Sequence, residues 1–233
     1  MKSALFAATA IVAMAFAASP ASAGLLAQYS TDAGATFTPI CSDVSGGSCL
    51  DTFTASNGLD FLVLAATSNS PGTATGATLF STSLRLTNPT AAAQSILISV
   101  GDTGFTAPVG SVSFLNNLSG TVVIGGAGNA LTSIACLDTG NGQNVCPATY
   151  NTPAIVANIT APGVGSATTS LPIGALAGPY SMTELISITL DPGSEINYVS
   201  SSTVTPVPEP GTLGMLGLGM LGLAAMGRRS RQG

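Results

Sequence analysis

The chain has no histidine and no tryptophan, and only 6% of its 233 residues are charged. Without histidine there is no Ser-His or Cys-His nucleophile pair, no two-histidine zinc site and no ordinary general base near neutral pH. Cations are almost as scarce: of Lys2, Arg85, Arg228, Arg229 and Arg231, only Arg85 lies between the two ends. Nucleic acid is therefore not an expected partner, because phosphate binding needs several cations to release counterions. Glycoside cleavage needs only two carboxylates and stays chemically open. No two acids mark a cleft, however, and the tryptophan that commonly serves as a sugar platform is missing. The expectation is a protein that is not an enzyme and has no cofactor and no metal.

What is present is apolar and small: 45% hydrophobic residues, 28 glycines and long tracts of Ala, Ser and Thr. Between the ends stand nine acids, Asp32, Asp43, Asp51, Asp60, Asp102, Asp138, Glu184, Asp191 and Glu195, against one arginine, a formal charge of −8. Such a body stays in solution and is repelled by anionic lipid.

Both ends read as addresses. Residues 1–23 have a basic start at Lys2, an apolar stretch over residues 4–18, the helix breaker Pro20 and small residues at Ala21 and Ala23. This is a signal peptide for the Sec translocon, with signal peptidase expected to cut after Ala23. An uncleaved anchor is the alternative, but the run falls short of the ~20 residues a span needs. At the other end, residues 211–227 are apolar and uncharged and would reach about 25 Å as a helix, a marginal transmembrane span. Arg228, Arg229 and Arg231 follow, and the positive-inside rule puts them in the cytoplasm with the body outside. A permanent single-span anchor is the plainer reading of this segment. A packed core helix is disfavoured by Gly214, Gly217, Gly219 and Gly222.

Val207-Pro208-Glu209-Pro210, the apolar run and the arginine cluster, in that order, resemble the PEP-CTERM sorting signal of Gram-negative bacteria. The resemblance covers about the last 27 residues. It implies processing by exosortase, a membrane-embedded cysteine transpeptidase-like enzyme, and an association with bacteria that make exopolysaccharide or biofilm matrix. Pro208 and Pro210 fix φ and remove two N–H donors, so Glu209 is held extended and unpaired where an enzyme can grip it. As a mere linker, the tripeptide would only end the last strand. The organisation expected is a signal peptide over 1–23, an exported domain over 24–205 and a sorting tail over 206–233. The tail divides into the motif at 207–210, a transmembrane helix at 211–227 that lodges transiently in the inner membrane, and a basic cytoplasmic end at 228–233. The destination is the cell surface or the extracellular space.

The body reads as all-β: an antiparallel β-sandwich of jelly-roll or Ig-like type. Period-two alternation is clearest at residues 94–100 and 185–190. Further strands are expected in "DFLVLAAT", "GATLFSTSLRLT", "GSVSFLN", "GTVVIG", "LTSIAC", "AIVANIT" and "INYVSSSTV", about ten in all. "NSPG", "NPT", "GDTG", "GGAGN", "TGNGQN" and "LDPGSE" read as turns. Four cysteines suit an exported protein. They allow three connectivities, and the local one, Cys41 with Cys49 and Cys136 with Cys146, is expected to staple two Gly-containing loops.

Four further features invite a functional reading. "VVIGGAGNA" evokes a nucleotide loop, but a strand follows it and the third fingerprint position is Leu131, so a hairpin turn is expected. "DTGNGQN" offers oxygen ligands to calcium, without EF-hand spacing, and a disulfide-closed turn is the simpler reading. Glu184 shares parity with Met182, Ile186 and Ile188, and a bulge or strand start at residues 180–183 is expected to turn it away from the core. Arg85 is expected to pair with a surface acid.

Overall fold

A computed structural model describes residues 24–43, 47–146, 149–159 and 162–208, with residues 211, 214, 215 and 218–220. The signal peptide with Ala21 and Ala23, and Glu209, Pro210, Arg228, Arg229 and Arg231, lie outside the described residues. Thirteen strands are present among them and pair only antiparallel. The first sheet contains β10 (Ile155–Ala157), β8 (Ala130–Asp138), β12 (Tyr180–Leu190), β6 (Gln94–Phe105), β1 (Leu25–Ser30) and β2 (Thr38–Asp43) in that order, with β9 (Tyr150–Asn151) on β8. The second contains β11 (Gly163–Leu176), β7 (Gly110–Ile124), β13 (Glu195–Pro206), β5 (Ala77–Thr87), β4 (Asp60–Ser68) and β3 (Ser48–Thr54).

The connectivity decides between the two sandwich types. β5 pairs with β13, β6 with β12, β7 with β11 and β8 with β10, each pair nested inside the one before it, and the chain changes sheets between consecutive members. Nested pairing of this kind is that of a jelly roll. The β1–β2 and β3–β4 pairs extend its two sheets on the same side.

Alternation along the central strands builds the core. Ile96, Ile98 and Val100 of β6 and Met182, Ile186, Ile188 and Leu190 of β12 are buried against Leu79, Phe114, Leu118, Ile196 and Val204 of the other sheet. Tyr29, Phe53 and Phe61 stack where the β1–β2 and β3–β4 pairs face each other, with ring centroids 5.3 and 4.5 Å apart.

Several sequence expectations change. "GSVSFLN" and "GTVVIG" are one strand, β7. "GDTG" is not a turn but lies inside β6, where Tyr180 pairs with Phe105 while Met182 pairs with Asp102. Two steps on β12 therefore oppose three on β6, a bulge that Gly104 accommodates at φ 80°. "GGAGN" is a turn but not a hairpin, because β7 and β8 belong to different sheets and the turn arches between them.

Cys41 bonds Cys49 and Cys136 bonds Cys146, with Cα separations of 5.8 and 5.9 Å. The first does more than staple a loop: Cys41 is on the edge strand of one sheet and Cys49 on the edge strand of the other, so it clamps one side of the sandwich. Replacing both cysteines, C41S/C49S, is expected to lower the unfolding free energy by about 2.6 kcal/mol. Urea denaturation of the oxidised proteins measures this, and an unchanged midpoint would show that the clamp is redundant.

Candidate functional site

Glu184 points straight into the core and is fully buried. The bulge expected to turn it outward does exist, but its extra residue is in β6, so β12 keeps its parity and carries Glu184 inward with Met182 and Ile186. From across the sandwich, Ser81 Oγ donates to Glu184 Oε2 at 2.8 Å and Ser202 Oγ donates to Oε1 at 2.9 Å. Desolvation outweighs these hydroxyls and pushes the carboxyl up to about 7. Tyr198 beside it is raised by its own burial and then by the charge of Glu184. The cluster joins the sheets by polar contacts, and a group with no exposure meets no substrate.

Asp102, buried at the β6 bulge, is also raised by desolvation, although Thr103 N–H donates to its Oδ1 at 2.7 Å. Asp138 shows the opposite balance. Its carboxylate accepts N–H bonds from Gly142 and Gly140 at 3.0 and 3.1 Å, which lower its pKa, and Thr149 Oγ1 donates to it as well. The loop it organises lies over β6: Gln143 Nε2 donates to Gly101 O at 2.9 Å and Gly104 N–H donates to Asn141 Oδ1 at 2.7 Å. Asn144 sits so close above Gly101 that a side chain there would collide with it. "DTGNGQN" is thus a disulfide-closed loop in which the Asp138 carboxylate serves the loop's own backbone and Asn141 Oδ1 serves β6. No cluster of three metal-ligating side chains occurs among the described residues.

Arg85 pairs with Glu195, Nε to Oε2 at 3.3 Å, and its side chain is 60% exposed. A surface pair of this kind contributes little. On the outer face of the second sheet, Asn117, Ser119, Ser166, Thr168, Val199 and Ser201 line a shallow depression. There Thr168 Oγ1 donates to Asn117 Oδ1 at 2.6 Å.

The remaining feature is the exit of the chain. β13 is central in its sheet, bonded to β5 on one side and to β7 on the other, and its last residue Pro206 still pairs with Val112. Val207 N–H donates to Ser111 O at 2.9 Å. Pro208 is next. Residues 211, 214, 215 and 218–220 are helical, and Met215, Leu218 and Met220 are exposed; among the described residues no helix is long and apolar enough to cross a membrane.

The fold and this exit define a jelly-roll domain that passes its C-terminal segment out of a central strand. The segment itself carries the PEP-CTERM protein-sorting motif: the model of that motif matches residues 206–230. The motif implies export, a membrane-anchoring tail and exosortase as processing partner. No curated protein matches the chain. Solved structures give distant likenesses. TmCBM61 in complex with β-1,4-galactotriose is 8% identical, with 66% of this chain and 80% of that one covered and a TM-score of 0.33. The C-terminal CBM6 of LamC from Zobellia galactanivorans is 12% identical, covering 68% and 90%, with a TM-score of 0.25. A structure of infectious bursal disease virus, Gx strain, is 14% identical, covering 81% and 56%, with a TM-score of 0.30. Likenesses this remote say nothing of what the domain binds.

The buried acid gives the domain an unusual pH response. Because Glu184 is raised from 4.5 to about 7 on folding, its contribution to stability is complete below pH 4.5 and is lost as pH rises to about 7. Over that window the loss is about 3 kcal/mol. E184Q keeps the shape without the titration. The difference in unfolding free energy between wild type and E184Q, followed from pH 4.5 to 8, is expected to shift against wild type by that amount. A constant difference would show that Glu184 does not titrate in the folded protein there.

Proposed function

We propose that this chain is a non-enzymatic surface or extracellular-matrix protein whose jelly-roll domain is exported and sorted by its C-terminal tail. The observation that carries the reading is the sorting motif at residues 206–230, which begins where the last strand ends. In this reading the signal peptide enters the Sec translocon and signal peptidase cuts after Ala23. Residues 211–227 hold the protein in the inner membrane, with Arg228, Arg229 and Arg231 on the cytoplasmic side. Exosortase takes Pro208-Glu209-Pro210, and the domain passes to the surface. Two disulfides suit that oxidising route. The sealed carboxyl of Glu184 and the loop-bound carboxylate of Asp138 are consistent with a structural role.

Intact mass of protein from its host tests this. The mature chain is expected to begin at Gly24 and to lack Arg231, while P208A/E209A/P210A retains the tail and fractionates with membranes. Wild-type protein recovered from the cytosol with Arg231 attached would refute the sorting reading.

A second reading, contact with exopolysaccharide or another neutral glycan, rests on the uncharged depression of hydroxyl and amide groups around Asn117 and Thr168. A glycan that binds there is expected to raise the melting temperature of wild type but not of N117A/T168A. No rise across a broad glycan panel would dismiss it.

A further inference from the structure

The tail leaves the domain without a linker. Val207 is fixed to the sheet through Ser111, Pro208 opens the motif, and only three residues separate Val207 from the apolar run at residue 211. Three fully extended residues reach about 10 Å. An enzyme cleft that encloses Pro208-Glu209-Pro210 is therefore brought against the end of the sandwich.

That end is a built surface. The loops at residues 69–76, 106–109 and 177–179, with the strand ends they join, surround the exit and are bonded to one another. Thr106 N–H donates to Pro71 O at 2.9 Å, Ser70 Oγ to Thr103 O at 2.8 Å, Tyr180 OH to Ala107 O at 3.0 Å and Ser111 Oγ to Gly174 O at 3.0 Å. None of these loop residues is charged, and neither is any residue from 203 to 208. Val109 and Val207 stand out at 53% and 45% exposure. The opposite end carries Asp32, Asp191 and the Arg85–Glu195 pair. The acids nearer the exit belong to the other sheet. Asp138 is turned into its own loop, Asp43 accepts from Ser48 N–H at 3.4 Å, and Asp102 is buried.

We propose that this uncharged cap is a docking surface for the membrane enzyme that processes the motif, so that the folded domain is read together with the tripeptide. The proposal rests on the sorting reading. Uncharged loops lose water against a partner at small cost, whereas a charge placed there would have to be desolvated without a counterpart. A cap already fixed by hydrogen bonds also loses little entropy on docking.

The test follows loss of the tail by intact mass in the full-length chain. V109E is expected to slow processing at least tenfold in the chain of native length. It is expected to have no effect once ten Gly/Ser residues are inserted between Val207 and Pro208, since the enzyme then need not touch the cap. Processing of V109E at the wild-type rate in the native-length chain would overturn the proposal. So would equal slowing with and without the insert, which marks a folding defect. A change in membrane association of V109E in a host lacking the enzyme would also overturn it, because the cap would then rest on lipid. Retention of the tail by the unsubstituted chain would instead fail the sorting reading itself.

Discussion

The structure depends on strand β13 being hydrogen-bonded on both flanks. A strand in mid-sheet satisfies its backbone groups to left and right, and its inward side chains meet the opposite sheet. Ile196, Tyr198 and Val204 fill the core from this strand, and Ser202 reaches Glu184 across the gap. Glu195 at its start pairs with Arg85, and its end fixes Val207. The strand therefore joins the two sheets at one point and aims the tail at another. Any force on the tail is carried into the middle of the sheet and not into a loose terminus.

Scarcity of charge shapes the rest. With few ion pairs available, the sheets are joined by apolar alternation, by a disulfide between their edge strands and by hydroxyls gathered on one buried acid. A carboxyl in that position holds its proton more strongly than a solvated one, so the protein carries a titrating group in its core. Asp32 is the contrast. Exposed, and accepting from Ser30 and Thr36, it is lowered to about 2. Identical chemistry is shifted in opposite directions by burial and by hydrogen bonding.

Much of the fold was legible because alternation survives wherever a strand has one buried face. β4, β5, β8, β12 and β13 were readable on that ground. β11 was not: its fourteen residues are mostly Gly, Ala, Ser and Thr, and on an edge strand such side chains leave only a weak alternating signal. "GDTG" carried turn residues because a bulge with positive φ asks for the same chemistry as a turn. The parity of Glu184 with Met182 and Ile186 already points inward; the bulge beside it is real, but nothing in β12 alone says that the extra residue belongs to its neighbour.

The sorting tail was determined by sequence alone, since two prolines around a glutamate, an apolar run and a basic end act through local chemistry and order along the chain. The local cysteine pairings were equally readable, because short loops close at low entropic cost. Only the tertiary structure decided that Cys41–Cys49 spans two sheets, that Glu184 is sealed between serines of the opposite sheet, and that the motif begins directly at the end of a central strand. Each of these depends on which strands are neighbours, and that is fixed by the nesting of pairs far apart in the chain, which no local pattern of side chains encodes.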